Sequence, residues 1–434
     1  MAKDRVVVGV IGCGIVGTGA VRLLLENHEW ISQRVGVPVT LKRVVDVDWN
    51  RPREFSVPET LRGTDAEAAI ADPEIDIIVE AIGGVGFARR VVELALSRGK
   101  SVVTPNKELM AKHGGDLLAL AAEQGADLMF EGAVGGGIPL IKPLKESLAG
   151  DSIERIVGIV NGTTNYILTG MARENRDFGE ALAAAQQLGY AEADPTADVE
   201  GFDSLYKIAI LASIAFGSRV PVGEVYHEGI TGVAAADIRY ARQLGFSIKL
   251  LAIAALDNGA LDIRVHPTFV PVEHPLANVN GVYNAVLVRG RQVQDVMFYG
   301  RGAGAGPTGT AVVGDVVDCA RNLVQGAAGR VPCRCFRSLP LLPIDAVRCR
   351  NYVRMRVVDR PGVIGQIATC FGSHGVSLAS VFQPEDEVGP ALAEIVWITH
   401  EVREAQMKAA LAQIRTLPEV KEIPSVIRLE NAPA

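Results

Sequence analysis

Apolar and polar positions alternate along this chain in two distinct rhythms. Residues 5–11, RVVVGVI, form a β-branched run that passes through Gly12-Cys-Gly-Ile-Val-Gly17 into helical spacing up to about residue 28. The pattern predicts a buried strand, a glycine turn and a helix. Residues 39–45, 76–80 and 101–104 predict further strands, with a helix over 85–98. Strands alternating with helices fold economically as a doubly wound parallel sheet, so the class is α/β with a Rossmann-type first domain.

After residue 150 the rhythm changes. Residues 153–160 read as a strand, and Asn161-Gly-Thr-Thr-Asn165 opens a helix. Strand-like runs at 250–256, 261–270, 284–289 and 292–299 predict a mostly antiparallel sheet in a separate α+β substrate and dimerisation domain. The glycine-rich loop 300–306 precedes a helix of small residues over 307–324, read as returning to the first domain. Beyond a connector between Pro332 and Pro343, the segments 352–358, 361–374, 377–383, 391–400, 402–417 and 420–429 read β, α, β, β, α, β. That order is ferredoxin-like. The expected division is therefore 1–135, completed by 306–330, then 136–305, a linker over 331–350, and a C-terminal domain over 351–430.

Length and charge narrow the function classes. A chain of 434 residues holds two or three domains, and a net charge of -7 without a dense Lys/Arg run argues against nucleic acid as partner. The weakly polar run 6–21 is too short for a membrane span and has no signal-peptide layout before it, so a cytoplasmic location and small-molecule partners are expected. Six cysteines in such a chain make no disulfide framework, and Cys333-Arg-Cys335 lacks the second pair of a zinc site. All six are read as reduced thiols.

Three stretches carry chemistry. In the glycine turn, Gly12 permits the bend, Gly14 admits a pyrophosphate to the backbone and Gly17 lets helix and strand approach. Asp46 ends the second strand where an acid can grip a ribose 2′-hydroxyl, while Lys42, Arg43, Arg51 and Arg53 nearby suit a 2′-phosphate, so the choice between NAD and NADP stays open. Thr104-Pro-Asn-Lys107 follows a strand's C-terminal end, which makes Lys107 a candidate for cofactor or substrate. The loop after Glu131 is rich in glycine and suits either a hard cation or an interdomain hinge. The third stretch, 189–212, places Glu192, Asp194 and Asp198 on a loop and Asp203 at the start of an apolar helix, four residues before Lys207. A lysine partly desolvated against such a helix and facing carboxylates can move protons.

Together GCGIVG at 12–17, TPNK at 104–107, EGAVGGGIP at 131–139, NGTTNYIL at 161–168, GYAEADPTADVEGFDSLYK at 189–207 and GRGAG at 300–304 resemble the homoserine dehydrogenases. The resemblance implies NAD(P)-dependent interconversion of L-aspartate 4-semialdehyde and L-homoserine on the route to threonine and methionine. It implies proton transfer by Lys207, a second active-site lysine in Lys107, and support from Asp203. Substrate binding falls by resemblance to Glu192, Asp198 and Thr163, and the cofactor to Gly12, Cys13, Gly14, Ile15, Val16, Gly17, Asp46 and Lys107. A monovalent cation, Na+, is implied at Glu131, Val134, Gly136 and Ile138. One departure concerns Asp46 and Asp48, where many relatives carry a basic residue suited to NADPH.

The tail, with Asp359-Arg-Pro-Gly-Val-Ile-Gly and His374-Gly-Val-Ser377, resembles the ACT regulatory domain. That implies threonine as effector, and a homodimer or homotetramer is expected; because every residue assigned to chemistry lies before Arg301 and the Pro-containing connector marks a separable domain, residues 351–430 are expected to be removable without loss of catalysis. Two other classes fit the residues less well. An amino-acid sensor with a decayed enzyme body conflicts with the intact glycines and acidic stretch. An aspartate-semialdehyde dehydrogenase needs a nucleophilic cysteine, but Cys13 lies inside the glycine turn and the other five fall late.

Overall fold

The computed structural model describes residues 3–332, 335–384 and 391–431. The chain divides into two compact units, the first of Met1–Ile156, Tyr206–Glu224 and Tyr283–Ser338, the second of Val157–Leu205, Val225–Val282 and Leu339–Ala434. The C-terminal segment thus shares a compact unit with the middle of the chain.

The first unit begins with β1 (Val6–Ile11), α1 (Ile15–Glu26), α2 (His28–Val35), β2 (Val39–Val45), β3 (Arg62–Gly63) and α3 (Ala66–Ala71). Then come β4 (Ile77–Glu80), α4 (Gly86–Ser97), β5 (Ser101–Val103), α5 (Lys107–Glu123) and β6 (Leu128–Met129). All six strands run parallel in the order β3-β2-β1-β4-β5-β6. A central parallel strand is covered on both faces, which is why β1 is an unbroken apolar run with every residue buried. The order reverses between β1 and β4, so a crevice opens beyond their C-terminal ends, where ligands of such sheets bind. The first helical run is longer than its spacing predicted: it breaks at Asn27 and resumes as α2 until Gly36, whose φ of 93° ends it in the left-handed region.

The chain continues through β7 (Ile153–Ile159), α6 (Gly162–Glu174), α7 (Phe178–Gln187), α8 (Thr196–Val199), α9 (Phe202–Phe216), β8 (Tyr226–His227), α10 (Ala235–Gln243), β9 (Phe246–Asp257) and β10 (Ala260–Pro271). The antiparallel pair β11 (Tyr283–Gly290) and β12 (Gln294–Arg301) belongs to the first unit and leads into α11 (Ala305–Gln325). Small residues let α11 press on α1: a Cβ on Gly19 would lie 2.1 Å from the Ala305 carbonyl oxygen. Val312, Val316 and Cys319 of α11 thereby complete the core formed by Val6, Val8, Val10, Val21 and Leu24, each fully buried aliphatic side chain contributing about 1.5–3 kcal/mol.

In the second unit, β13 (Arg348–Val358), α12 (Val363–Ser373), β14 (Leu378–Phe382), β15 (Leu392–Thr399), β16 (Val402–Arg403), α13 (Glu404–Ile414) and β17 (Val420–Leu429) close the chain. Hydrogen-bonded neighbours run β9-β10-β17-β13-β15-β14. One face of the C-terminal strands carries Val353, Met355, Val357 and Trp397 against Ile367, Phe371 and Leu411 of its helices. The opposite face carries Tyr352, stacked on Phe269 of β10 with ring centroids 4.4 Å apart. The tail is therefore a ferredoxin-like layer, as the pattern predicted, but its last strand also pairs in parallel with β10, Thr268 opposite Arg428 and Phe269 opposite Leu429.

Among the described residues no helix is long and apolar enough to cross a membrane. Cys13, Cys319, Cys335, Cys349 and Cys370 are free thiols, while Cys333, read as reduced from the sequence, lies with Arg334 outside the described residues.

Candidate active site

The glycine turn has the geometry its sequence demands. Gly12 sits at φ 96°, and a Cβ there would lie 2.3 Å from the Ala81 carbonyl oxygen, while one on Gly17 would lie 2.0 Å from that of Gly12. Gly14 has nothing within 4 Å of its Cβ position, leaving its backbone open to a ligand. Cys13 is buried and Ile15 is 68% exposed at the helix start. A pyrophosphate fits such a turn, because Gly14 leaves room beside the start of α1, where a helix presents its unbonded amides.

At the end of β2, Asp46 accepts a hydrogen bond from the Cys13 N–H (2.7 Å) and another from the Asp48 N–H (3.0 Å). Burial pushes its carboxyl up, but those amides and Arg53 outweigh burial and hold it below the usual carboxylate range. Arg53 lies 3.3 Å from Asp46, donates from Nε to the Cys13 carbonyl (2.9 Å), and covers the Trp49 ring at 4.8 Å. The sequence marked Arg53 only as one of several bases; its reach back to the turn depends on a loop conformation that no local pattern encodes.

Lys107 opens α5, and Asn106 caps that helix by accepting from the Leu109 N–H at 3.1 Å. The Glu131 carboxylate accepts from the N–H groups of Leu140 (2.5 Å), Ile141 (2.9 Å) and Lys142 (2.7 Å). Its own N–H donates to Asp315 at 2.8 Å, and burial together with Glu131 pushes the Asp315 carboxyl well above its ordinary range. The intervening backbone turns tightly through Gly135 (φ 75°) and Gly136 (φ 55°), with Val134 and Ile138 buried. Among the described residues no group of three or more His, Cys, Asp or Glu side chains could hold a metal ion.

The acidic stretch gathers around Asn161, a residue the sequence marked only as part of a helix start. Asn161 Oδ1 accepts from the Thr164 N–H (2.8 Å) as the cap of α6, and its Nδ2 donates to Asp198 (2.6 Å) and Asp203 (2.9 Å). One side chain thus holds two carboxylates from separate turns. Asp198 is in the short α8 rather than on a loop, and Asp203 is the second residue of α9. Asp203 is 4% exposed and Lys207, one turn further along α9, is 8% exposed. Thr163 donates to the Tyr190 carbonyl (2.8 Å), and Glu192 is exposed on the following loop. The clamp joins residues 37 and 42 positions apart, so only the NGTTN motif itself could have signalled it.

A dinucleotide turn at the switch point of a parallel sheet and a buried lysine one turn after a clamped carboxylate define a nicotinamide-dependent dehydrogenase, here with a ferredoxin-like tail. Family profiles agree: residues 12–131 match the homoserine dehydrogenase NAD-binding domain, 139–317 the homoserine dehydrogenase catalytic region and 351–419 the ACT domain. A homoserine dehydrogenase of Synechocystis is 48% identical over 97% of this chain and 99% of its own length. The crystal structure of a homoserine dehydrogenase from Thiobacillus denitrificans superposes with TM-score 0.92 at 40% identity, covering 98% of both chains. A hyperthermophilic archaeal homoserine dehydrogenase in complex with NADPH matches 73% of this chain and 97% of its own at TM-score 0.60 and 27% identity. The chain belongs to the homoserine dehydrogenase family, NAD(P)-dependent oxidoreductases, and carries the ACT domain besides.

Proposed function

We propose that Lys207 moves the proton at the substrate oxygen when L-homoserine and L-aspartate 4-semialdehyde interconvert, with Asp203 and Asp198 as its supporting carboxylates. The observation that supports this reading is the Asn161 clamp, which ties Asp198 to Asp203, the carboxylate one turn before a buried lysine. A positioned acid/base of this kind contributes about 10²–10⁴-fold. Glu192 and Thr163 bind the substrate's amino-acid end, and Lys107 is the second lysine. When bound, the nicotinamide exchanges a hydride with the substrate carbon.

Residues 12–17 hold the pyrophosphate, and Asp46 faces the adenosine ribose. Arg53 already donates to Cys13, Arg51 and Asp48 carbonyls, so a 2′-phosphate must draw it away from bonds in place and settle beside an ionised Asp46. NAD is therefore expected to give a kcat/KM at least equal to that of NADP, and a higher value with NADP would refute the argument. A Na+ ion would be held by backbone carbonyls at Glu131, Val134, Gly136 and Ile138, since the Glu131 carboxylate serves three amides. Threonine is the proposed ACT effector, in a cytoplasmic homodimer or homotetramer.

The test is Lys207→Ala. It should lower homoserine oxidation by about 10²-fold or more while NAD(P)H binding by fluorescence titration stays near wild type. Near-wild-type turnover would refute the assignment.

A further inference from the structure

A fully buried carboxylate stands at the end of β4, on the cofactor edge of the parallel sheet. Glu80 is 0% exposed and no step above employs it. Its Oε1 accepts from the Ile82 N–H at 2.7 Å and more distantly from the Gly83 N–H at 3.4 Å, fixing the loop after β4. Its Oε2 accepts from the Thr104 hydroxyl at 2.6 Å. Thr104 in turn accepts from the Asn106 N–H at 3.1 Å, and Asn106 donates from Nδ2 to the Gly84 carbonyl at 2.6 Å while capping α5. Lys107 is the first residue of that helix. The bonds form a closed circuit from β4 through both crevice loops to the residue before the lysine.

A carboxylate at such depth is costly unless its hydrogen bonds are worth more than its lost hydration. Burial raises the Glu80 carboxyl above its ordinary range, and the bonds from Thr104, Ile82 and Gly83 offset that only in part. A glutamine would fit the space but could not replace both oxygens as acceptors. We propose that Glu80 is a positioning residue of the active site: through Thr104 and Asn106 it sets where Lys107 stands against the substrate. This rests on the reading of Lys107 as an active-site lysine. Placement is worth much, since a displacement of about 1 Å costs up to ~10²-fold in rate.

The experiment uses the full chain with homoserine and NAD or NADP, following nicotinamide absorbance for Thr104→Val, Thr104→Ser, Glu80→Gln, Lys107→Met and Thr104→Val/Lys107→Met. Thr104→Val is expected to lower kcat by about tenfold or more, with Thr104→Ser restoring most of it and the KM for homoserine changing less than kcat. In the Lys107→Met background, Thr104→Val should lose its effect, because residues acting through one another are not additive. The same loss in both backgrounds would make Thr104 merely structural and overturn the proposal. If Lys107→Met is impaired while Thr104→Val and Glu80→Gln are not, the proposal alone fails; if Lys107→Met itself turns over normally, the reading of the site fails first. Should Glu80→Gln not fold, Thr104→Val decides.

Discussion

Replacing Arg354 by methionine is expected to cost the fold roughly 3–5 kcal/mol at neutral pH. Arg354 donates from Nε to Asp237 at 2.7 Å and from Nη1 to Glu394 at 3.0 Å, with side-chain exposures of 3%, 0% and 5% for the three residues. An exposed pair of the same geometry would be worth about 0–1 kcal/mol. Burial decides the difference, because methionine keeps the bulk of the stem but leaves the fully buried Asp237 without the guanidinium that meets it. Tyr352 also donates to Asp237 (2.9 Å) and Tyr240 to Glu394 (2.6 Å), and neither hydroxyl supplies a charge, while Arg356 stays 3.5 Å from Glu394. The double variant Arg354→Met/Asp237→Asn should regain a large part of the loss, since removing both partners is far milder than removing one.

The assay is urea unfolding followed by circular dichroism across pH. Burial pushes the Glu394 carboxyl up, yet Tyr240 and Arg354 outweigh it and hold the group below its ordinary value of 4.5. A carboxyl lowered in the folded state stabilises above the ordinary value and loses that contribution as pH falls toward the depressed one. The gap between wild type and Arg354→Met should therefore narrow below pH 4.5. A loss under about 1 kcal/mol at pH 7, or a gap indifferent to acid, would refute the reasoning. The same network revises the expectation for removing the tail: a cut after residue 350 takes away Arg354 from Asp237 and Arg428 from Glu228, which it meets at 2.9 Å. Truncation is expected to yield folded, active protein only when Asp237→Asn and Glu228→Gln accompany it.

Two further outcomes follow from single positions. Gly14→Ala should leave stability within about 0.5 kcal/mol, because φ is -76° and no atom lies within 4 Å of the new Cβ; it should nevertheless weaken NAD(P)H binding by about tenfold or more in a fluorescence titration, and unchanged affinity would remove the pyrophosphate from this turn. Lys249, 2% exposed, donates to the Val279 carbonyl at 2.6 Å and to Asn165 and Asn280. Burial, then Arg173, pulls its amine from 10.5 down to about 7. The unfolded chain binds that proton across the interval, so unfolding free energy should rise from pH 7 toward 10.5, and Lys249→Met should abolish the rise.

The parallel sheet was legible because its information is local. A strand buried on both faces must be apolar throughout, and a Cβ on Gly12 or Gly17 would meet a backbone oxygen at 2.3 or 2.0 Å, so both leave marks in consecutive residues. The tail's β, α, β, β, α, β order was readable for the same reason, since Val353, Met355 and Val357 alternate toward one core. What they face on the other side was not. Tyr352 and Arg354 read as the outward positions of an amphipathic strand, and nothing in the periodicity tells a residue turned toward water from one turned toward Asp237, 117 positions away.

The candidate site divides along the same line. Lys207 and Asp203 declared themselves by spacing on one helix, as did the acids before them, because charge on an apolar helix is conspicuous in sequence. Asn161 and Glu80 did not, although each is bound to two or more segments of the site. Both are ordinary residue types at element ends: an asparagine before a helix reads as a cap, and a glutamate ending a strand reads as a solvated turn. Their burial to 4% and 0% arises only in the folded interior. A polar group enclosed there must satisfy every oxygen and nitrogen from whatever the fold brings near, so Asn161 answers its cap, Asp198 and Asp203 together, and Glu80 answers two loops at once. Sequence reveals groups that stand out from their local surroundings; the ones that hold those groups in place are selected by partners far along the chain, and their chemistry appears only when those partners arrive.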